Sequence, residues 1–514
     1  MTTEKRITNS KNRMQRTAYR RWSLETRNRM SAWRLRYVLF GMLFFMTTVA
    51  VDAQSPDRTK PPELGPTPSL TINPVKKFTL KNGLDVYVYE KHEVPIVQMN
   101  CVIKAGSVDE TSANLGLADM TADMMDEGAA GMSSLELSDA IDFLGSTIRT
   151  NGGLHTSSVS LRSTVSKFDE SLKLFADILL QPDFPKSDLQ RLQKEYITSL
   201  LQQYDQPRAI AAAASQQFVF GKNHPYGRTT SGTEKTIQAF SVDELKSFYS
   251  TYYRPNNAFL VVVGDVTADD LKAKLESRLG SWKAKDVPAV SVKPAPQVKG
   301  RTIYLIDKPD AAQSVIRISR VGADRLTKDY FPLLVMNTIL GGSFTSRLND
   351  NIREQHGYAY GAGSGFGFRP EPGPFVAAAD VQTAVTDKAL HEFMKELRGI
   401  SKPVSDRELQ RAKNYVALGY PENFSTVSSI AGEIVEKVLY NLPDDYFNTY
   451  IGHILAVTKD DVERVAKKYI DTDNLAIIIV GDRSKIEKNI KATDIGSVVD
   501  MVPTDILGPM PAMK

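Results

Sequence analysis

The sequence predicts an α+β fold made of two repeated domains, each with a mostly antiparallel sheet and helices on one face. Its 514 residues are 42% hydrophobic and 24% charged, which is ordinary for a globular protein and too long for one hydrophobic core. Segments of the first half recur in the same order in the second half. In each half, strand patterns come first and helical patterns follow, which is typical of α+β proteins.

Three pairs of segments define the repeat. An apolar run that ends in Gly-Asp and is followed by a helical pattern occurs at Gly264 and again at Gly481, an offset of 217 residues. Helical segments around Arg191 and Arg411 are offset by 220 residues. Between them and the apolar runs, "FSVDELKSFYSTYY" matches "VTKDDVERVAKKYI" at an offset of 217 residues. Three matches at nearly one offset indicate a duplicated unit of about 210 residues.

Strand and helix patterns follow one another within the first repeat. The segment "FTLKNGLDVYVYEK" alternates apolar and polar residues around Asn82-Gly83, a dipeptide that favours a tight hairpin turn. "PIVQMNCVIKAGSVDE" predicts a further strand that leads towards a helix. The spacing of apolar residues then predicts helices within residues 133–145, 166–181 and 187–218.

These patterns divide the chain into six segments. We predict a signal peptide (1–53), a Pro-rich tether (54–73), a first domain (74–281), a linker (282–300), a second domain (301–490) and a C-terminal tail (491–514). The linker is rich in Pro, Lys and Val and has no helical period, which favours an extended connection.

The first 53 residues predict export. A basic stretch that ends at Arg36 precedes fifteen uncharged residues, 37–51, which is the length of a signal-peptide apolar region and short for a membrane span. Small residues before Gln54 suit cleavage there, so we expect an exported, periplasmic protein. Two alternatives stay open. Translation from Met30 would give a leader of conventional length, and an uncleaved leader would anchor the protein in the membrane by residues 37–51.

Charge and cysteine content argue against two classes of protein. The net charge of +4 comes from the leader: residues 1–53 hold eleven Lys and Arg side chains and three acids, and the remainder has 53 basic and 57 acidic residues. A chain without excess positive charge does not predict nucleic-acid binding. The single cysteine, Cys101, excludes a disulfide framework within the chain.

One helical stretch, "GLADMTADMMDEG" at residues 116–128, places two carboxylates on one face. Asp119 and Asp123 are four residues apart, a spacing that brings both side chains to one side of a helix, within reach of a shared partner. Two histidines at this spacing with a glutamate beside them would form a zinc site, but this stretch has no histidine. A site for another metal, such as calcium, and a solvated or salt-bridged helix face both stay open.

Several blocks in order resemble the M16 family of zinc peptidases, the group of pitrilysin, insulinase and the mitochondrial processing peptidase. They include "KAGSVDETSANLGLA", "HPYGRTTSGT" and "YYRPNNAFLVVVGD" in the first repeat and "ILGGSFTSRLNDNIREQHGYAYG" in the second. In that family, two LuxS/MPP-like α+β repeats form a half-clamshell, and two half-clamshells enclose a peptide. The resemblance, which spans residues 74–490, implies that this chain forms one half-clamshell.

The resemblance also implies that this chain has lost its zinc site. The family motif H-x-x-E-H falls on "DMTAD", with Asp119 and Asp123 at the two ligand positions and Ala122 at the position of the general base. The third ligand, a glutamate in the family, aligns with Ser199. Two aspartates and a serine suit zinc poorly, and alanine cannot accept a proton. We therefore expect no cofactor in this chain.

A second family feature is retained in "LNDNIREQHGYAYG". Catalytic members use an arginine and a tyrosine seven residues apart to hold the substrate carbonyl oxygen, and these positions correspond to Arg353 and Tyr360. Guanidinium and phenol groups donate hydrogen bonds, so they suit an oxygen that gains negative charge. A helix ending near Gln355, a turn at Gly357 and a strand from Tyr358 would place both at one rim. The alternative is that Arg353 pairs with a helix C-terminus and Tyr360 packs in a sheet.

Together with the resemblance, these residues predict the non-catalytic subunit of a heteromeric M16 zinc metallopeptidase that degrades or processes unstructured peptides. The partner would be an M16 subunit that carries H-x-x-E-H and zinc, and this chain would supply Arg353 and Tyr360 in trans. Two alternatives remain: a pseudo-peptidase that acts as a binding or assembly module, and a homodimer with a different chemistry. We predict structural roles for His155, His224 and His356.

Overall fold

Two six-stranded sheets, one in each half of the chain, form the framework of the protein. The computed structural model describes residues 70–512. The predicted signal peptide (1–53) and most of the predicted tether (54–73) lie outside the described residues. Between residues 70 and 512, no helix has the length and apolar character needed to cross a membrane.

The first half confirms the early strands and the hairpin that the sequence predicts. Its strands are β1 (Lys76–Thr79), β2 (Asp85–Glu90), β3 (Ile96–Ile103), β4 (Gly128–Ala129), β5 (Met132–Ser133), β6 (Thr147–Asn151), β7 (Ser157–Thr164) and β8 (Ala258–Gly264). Six of them form a sheet in the order β1-β2-β8-β3-β7-β6, and β4 and β5 form a small separate ribbon. The hairpin turn between β1 and β2 contains Gly83, whose φ of +91° glycine adopts without strain.

The second half repeats this arrangement. Its strands are β9 (Arg301–Asp307), β10 (Gln313–Val321), β11 (Ala359–Phe366), β12 (Pro374–Gln382), β13 (Leu475–Gly481) and β14 (Ser497–Met501). The run β9-β13-β10-β12-β11 corresponds to β2-β8-β3-β7-β6 of the first sheet. In both runs the first pair is parallel and the other three pairs are antiparallel. The duplication inferred from the sequence is therefore confirmed by the strand order.

Helices follow the strands in both halves. The first half contains α1 (Leu117–Asp123), α2 (Ser134–Phe143), α3 (Phe168–Leu180), α4 (Lys186–Gln203), α5 (Pro207–Phe220), α6 (Glu234–Ala239), α7 (Val242–Tyr252) and α8 (Ala268–Leu279). The second half contains α9 (Tyr330–Leu340), α10 (Arg347–Asn349), α11 (Thr386–Gly399), α12 (Asp406–Gly419), α13 (Val427–Leu439), α14 (Tyr446–Ala456), α15 (Lys459–Tyr469), α16 (Arg483–Lys491) and α17 (Pro503–Leu507). A π-helix, Asp350–Gln355, continues α10.

Each sheet packs its own helices on one face and a helix of the other half on the opposite face. In the first half, Leu260 and Val262 of β8 pack with helices such as α3 and α8. The alternate residues Val261 and Val263 pack in the core of the second half, where α13 contacts β3 and β8. Reciprocally, α5 contacts β10 and β13 of the second sheet. The predicted single helical layer is thus supplemented by an exchanged helix, which explains why β8 and β13 are apolar throughout and buried.

Three segment boundaries differ from the prediction. Trp282, assigned to the linker, lies in the core of the first domain, and its indole N–H donates to the Tyr253 carbonyl oxygen (3.1 Å). The predicted tail, 491–514, supplies β14, which pairs in parallel with β9. The tether contributes Ile72, which is buried against the second half and donates its backbone N–H to Asn448 Oδ1 (2.8 Å). These short segments lack a hydrophobic period of their own, so the sequence does not reveal their packing.

Candidate functional site

A buried carboxylate caps the start of α1, the helix that carries Asp119 and Asp123. α1 starts after Gly116, and the Glu110 carboxylate accepts hydrogen bonds from the backbone N–H groups of Gly116 (3.0 Å) and Ala118 (2.7 Å). Glu110 is only 4% exposed, and this burial raises its pKa to about 8 even though the two hydrogen bonds oppose the shift. Glu110 therefore fixes the first turn of α1.

Asp119 faces a closely packed loop. Its side chain is half-buried, and a Cβ added to Gly152 would lie 2.6 Å from Asp119 Oδ1, so the glycine backbone and the carboxylate are in close contact. Oδ1 is buried and has no hydrogen-bond partner among residues 70–512. Burial, and then the nearby charge of Asp123, raise the pKa of Asp119 to about 6.

Asp123 is engaged by a tyrosine that the sequence analysis missed. Tyr196 of α4 donates its hydroxyl hydrogen to Asp123 Oδ2 (2.5 Å). Burial raises the pKa of Asp123, and the hydrogen bond from Tyr196 opposes that shift. Ser199, aligned with the third zinc ligand, is exposed, so α4 reaches α1 through Tyr196 instead. Ala122, at the general-base position, is fully buried.

A fourth carboxylate extends this acidic cluster, which we define as Glu110, Asp119, Asp123 and Asp126. Burial, and then the neighbouring Glu127, raise the pKa of Asp126 to about 6. Glu127 itself forms an ion pair with Arg191 of α4. Burial thus raises the pKa of all four acids in the cluster.

The residues at the former ligand positions do not fit a zinc ion. Zinc favours imidazole and thiolate ligands, whereas this helix offers two carboxylates, one of which already accepts a hydrogen bond from Tyr196. Within residues 70–512, no group of three or more His, Cys, Asp or Glu side chains is arranged to hold a metal ion. The arrangement is a buried acidic helix without a general base at Ala122.

The second half brings Arg353 and Tyr360 together. Arg353 lies near the end of the π-helix, Gly357 (φ +64°) reverses the chain, and Tyr360 follows at the start of β11. This is the local structure that the sequence predicts, with the strand beginning one residue later. The guanidinium carbon of Arg353 lies 5.5 Å from the Tyr360 ring centroid and 4.5 Å from that of Phe344. These cation–π contacts hold the arginine beside the tyrosine.

The two side chains remain accessible. Tyr360 is 91% exposed and does not pack into the sheet, partly because β11 is irregular between Ala359 and Ala362. The Arg353 side chain is 28% exposed and forms an ion pair with the adjacent Glu354 (3.1 Å). A permanent cation and a neutral hydroxyl donor therefore stand side by side at the surface, which is an arrangement suited to an anionic or carbonyl oxygen.

Comparisons with known proteins bear on this arrangement. The profile described as "Insulinase (Peptidase family M16)" matches residues 86–233, and the profile "Peptidase M16 inactive domain" matches residues 239–416. The chain belongs to the M16 family. The second M16 profile begins within the first half, before α7 and β8, and extends into α12 of the second half.

Similar M16 proteins include differently named relatives. The chain is 22% identical to the "Non-peptidase homolog YmxG" of Helicobacter pylori, over 77% of this chain and 91% of the relative. It is 23% identical to the "Zinc protease PqqE" of the same organism, over 79% and 92% of the two chains. A crystal structure of a peptidase M16 inactive domain from Pseudomonas fluorescens superposes with a TM-score of 0.74, at 25% identity, and covers 79% of this chain and 97% of that chain.

The edge strands β11 and β6 of this M16 chain differ in whether their outward backbone groups form hydrogen bonds. On β11, the N–H groups of Ala362 and Ser364 donate to Asn349 Oδ1 (3.1 Å) and to the Gly341 carbonyl oxygen (3.0 Å). On β6, the backbone bonds no element other than β7 within the described range. β6 also contacts α1. The edge beside the former zinc helix is therefore open to pairing, whereas the edge beside Tyr360 is partly closed.

Three of the six histidines of this M16 chain, those with predicted structural roles, have local contacts. His155 Nε2 lies 2.8 Å from the Tyr226 hydroxyl, and burial lowers the pKa of His155 to about 4. His224 Nε2 lies 2.7 Å from the Lys293 carbonyl oxygen, and His356 stacks on a neighbouring tyrosine. These contacts support the structural roles that we predict for the histidines.

Proposed function

We propose that this chain is the non-catalytic subunit of an exported, heteromeric M16 metallopeptidase that cleaves unstructured peptides. The observation that carries the proposal is the contrast between the two candidate sites. Helix α1 has no zinc-binding set, whereas Arg353 and Tyr360 lie together at an exposed rim. A second M16 subunit with H-x-x-E-H would carry the zinc and the general base.

The residues of this chain would act on the substrate carbonyl oxygen. Arg353 donates hydrogen bonds from its guanidinium group, and Tyr360 donates one from its hydroxyl group. Phe344 and the Tyr360 ring restrain the guanidinium before substrate arrives, which limits the reorganisation needed during the reaction. The donors therefore matter most when negative charge develops on that oxygen.

The open edge of β6 supports peptides as the substrate class. An extended peptide can add a strand to an unpaired edge through main-chain hydrogen bonds, which tolerate many sequences. β6 lies beside α1, the helix that would carry the zinc ligands in a catalytic subunit. An unstructured peptide offers its backbone freely for such pairing, which supports unstructured peptides as the substrate class.

A binding or assembly module without proteolysis is the second candidate. Arg353 already contacts Phe344 and pairs with Glu354, so its guanidinium is not free of partners. In that case, the pair would stabilise the rim and the chain would contribute a wall of the chamber. The similarity to a relative named a non-peptidase homologue also supports this candidate.

The test measures peptide cleavage by the two reconstituted subunits when this chain carries Arg353→Ala or Tyr360→Phe. Each variant should fold and associate normally, and kcat on an unstructured peptide at saturation should fall by about 10²–10³-fold, because one donor to the developing charge is lost. Zinc content should not change, since the metal belongs to the other subunit. Arg278→Ala, which alters an exposed arginine of α8, is the matched control and should retain kcat. Undiminished kcat in both variants, with intact complexes, contradicts catalysis in trans and favours the binding module.

A further inference from the structure

A groove beside Tyr360 is lined by two arginines that the proposed chemistry does not use. Its volume is about 410 Å³. It lies between the first turn of α5, which belongs to the first half, and strands β10, β11 and β12 of the second sheet. Its polar lining consists of Arg208, Gln313, Arg317, Tyr360 and Asp380.

The strand register explains why the groove exists. Arg317 of β10 lies opposite Ala378 of β12, and Asp380 lies opposite Val315, so these side chains share one face of the sheet. Ala378 and the neighbouring Gly361 of β11 are small. Small residues beside a long arginine leave space above the strands that no side chain of the sheet fills.

The charges in the groove do not balance. Arg208 forms an ion pair with Asp380, which accounts for one arginine. Arg317 has no carboxylate partner within residues 70–512, and its Nε is buried without a hydrogen-bond partner. A half-buried, unpaired guanidinium is costly, and burial accordingly lowers the pKa of Arg317. The groove therefore carries one uncompensated positive charge beside an exposed tyrosine.

We propose that this groove binds a carboxylate of the peptide substrate, with Arg317 as the anchoring residue and Arg208 as a second donor. The peptide as ligand rests on the proposed function, whereas the carboxylate follows from the charges of the groove. Guanidinium groups bind carboxylates through paired hydrogen bonds. A peptide can supply such a carboxylate from an acidic side chain or from its C-terminus. Asp380 competes with the ligand for Arg208, so it weakens binding.

The experiment measures binding to this chain alone, so it does not depend on cleavage. Four short, unstructured, fluorescently labelled peptides carry either Glu or Gln at one central position and either a free or an amidated C-terminus. Fluorescence anisotropy gives the affinity of each peptide for the wild-type chain and for Arg317→Gln, Asp380→Asn and Arg278→Gln. Circular dichroism of each variant confirms that it is folded.

We expect Arg317→Gln and Asp380→Asn to change the preference for carboxylate-bearing peptides in opposite directions. The wild-type chain should prefer a peptide with a carboxylate by about tenfold or more, Arg317→Gln should remove the preference, and Asp380→Asn should increase it. Arg278→Gln, the matched exposed arginine, should behave as the wild type. The four peptides show whether the side chain or the C-terminus supplies the carboxylate.

Three results overturn the carboxylate site. They are equal affinity for all four peptides, an unchanged preference in Arg317→Gln, and no binding of any peptide up to about 1 mM. These results leave the proposed function standing if Arg353→Ala still slows cleavage by the reconstituted pair. Conversely, a carboxylate preference that depends on Arg317, in a pair that Arg353→Ala does not slow, retains the groove and rejects catalysis in trans.

Discussion

Replacing Asp119 by asparagine should stabilise this protein at alkaline pH and leave it unchanged in acid. Asp119 sits in the acidic cluster with a buried Oδ1 that lacks a hydrogen-bond partner among the described residues. Its pKa is raised to about 6, so the ionised form is the disfavoured form in the folded state. The folded protein therefore binds this proton more tightly than the unfolded chain, and the wild-type stability falls as pH rises from 3.8 through about 6.

The size of the effect follows from that shift. Raising a carboxyl pKa from 3.8 to about 6 corresponds to about 3 kcal/mol once the group is fully ionised, because each pKa unit is worth about 1.4 kcal/mol. Asp119 is half-buried and keeps contact with water, so screening reduces the expected gain to about 2 kcal/mol. Asparagine has the same shape, does not titrate, and leaves no newly buried charge at Gly152.

The assay is equilibrium unfolding in urea at pH 4, 6 and 8, followed by tryptophan fluorescence. Of the three tryptophans, Trp22 and Trp33 belong to the proposed leader, so a chain that begins at Gln54 reports through Trp282 alone. Trp282 is 6% exposed and lies in the same core as α1, so its emission follows the unfolding of the first half. The difference in the free energy of unfolding should be near zero at pH 4 and largest at pH 8.

Asp139→Asn is the matched control. Asp139 is an exposed aspartate on α2, and its replacement should leave the free energy of unfolding parallel to that of the wild type at all three pH values. If the free energy of unfolding of Asp119→Asn also follows that of the wild type at all three pH values, ionisation of Asp119 does not destabilise the folded protein. The conclusion that burial disfavours the ionised form of Asp119 would then be wrong.

Three further predictions concern metal content, a restored zinc motif and processing. The purified chain should contain no stoichiometric zinc by atomic emission. One tightly held zinc per chain would contradict the conclusion that the residues of α1 do not fit a zinc ion. Restoring Asp119→His, Ala122→Glu, Asp123→His and Ser199→Glu should still leave zinc binding weak, because position 122 is fully buried and Tyr196 packs against the second ligand position, where it donates a hydrogen bond to Asp123. Protein isolated from the cell envelope should begin at Gln54 by N-terminal sequencing, whereas an intact segment 37–51 would indicate a membrane anchor.

Much of the fold could be predicted because its signals are local. The Asn82-Gly83 turn, the two buried apolar runs and the order of strands before helices are all written in short stretches of sequence. The exchange of α5 and α13 could not be predicted, since it depends on contacts between residues far apart in the chain. β14 was missed for a related reason: its five residues are mostly exposed and carry no clear alternation.

The candidate sites divide in the same way. The spacing of Arg353 and Tyr360 implied a turn between them, and the local structure agrees with that prediction. The contact between Tyr196 and Asp123 was missed because the alignment favoured Ser199, and which residue of a helix meets its neighbour depends on the rotation of the packed helix. Glu110 gave a partial signal: an acid a few residues before a glycine-initiated helix is suited to cap it.

The helix exchange has a consequence for how the protein is made. The first sheet is complete once Gly264 has been synthesised, yet the face that carries Val261 and Val263 is covered by α13, which begins at Val427. At ribosomal rates of about 5–20 residues per second, α13 is synthesised roughly 10–30 s after β8, and the apolar face stays uncovered during that time. The nascent first half therefore exposes an apolar sheet face until the second half emerges, and exposed apolar surface of this kind favours aggregation.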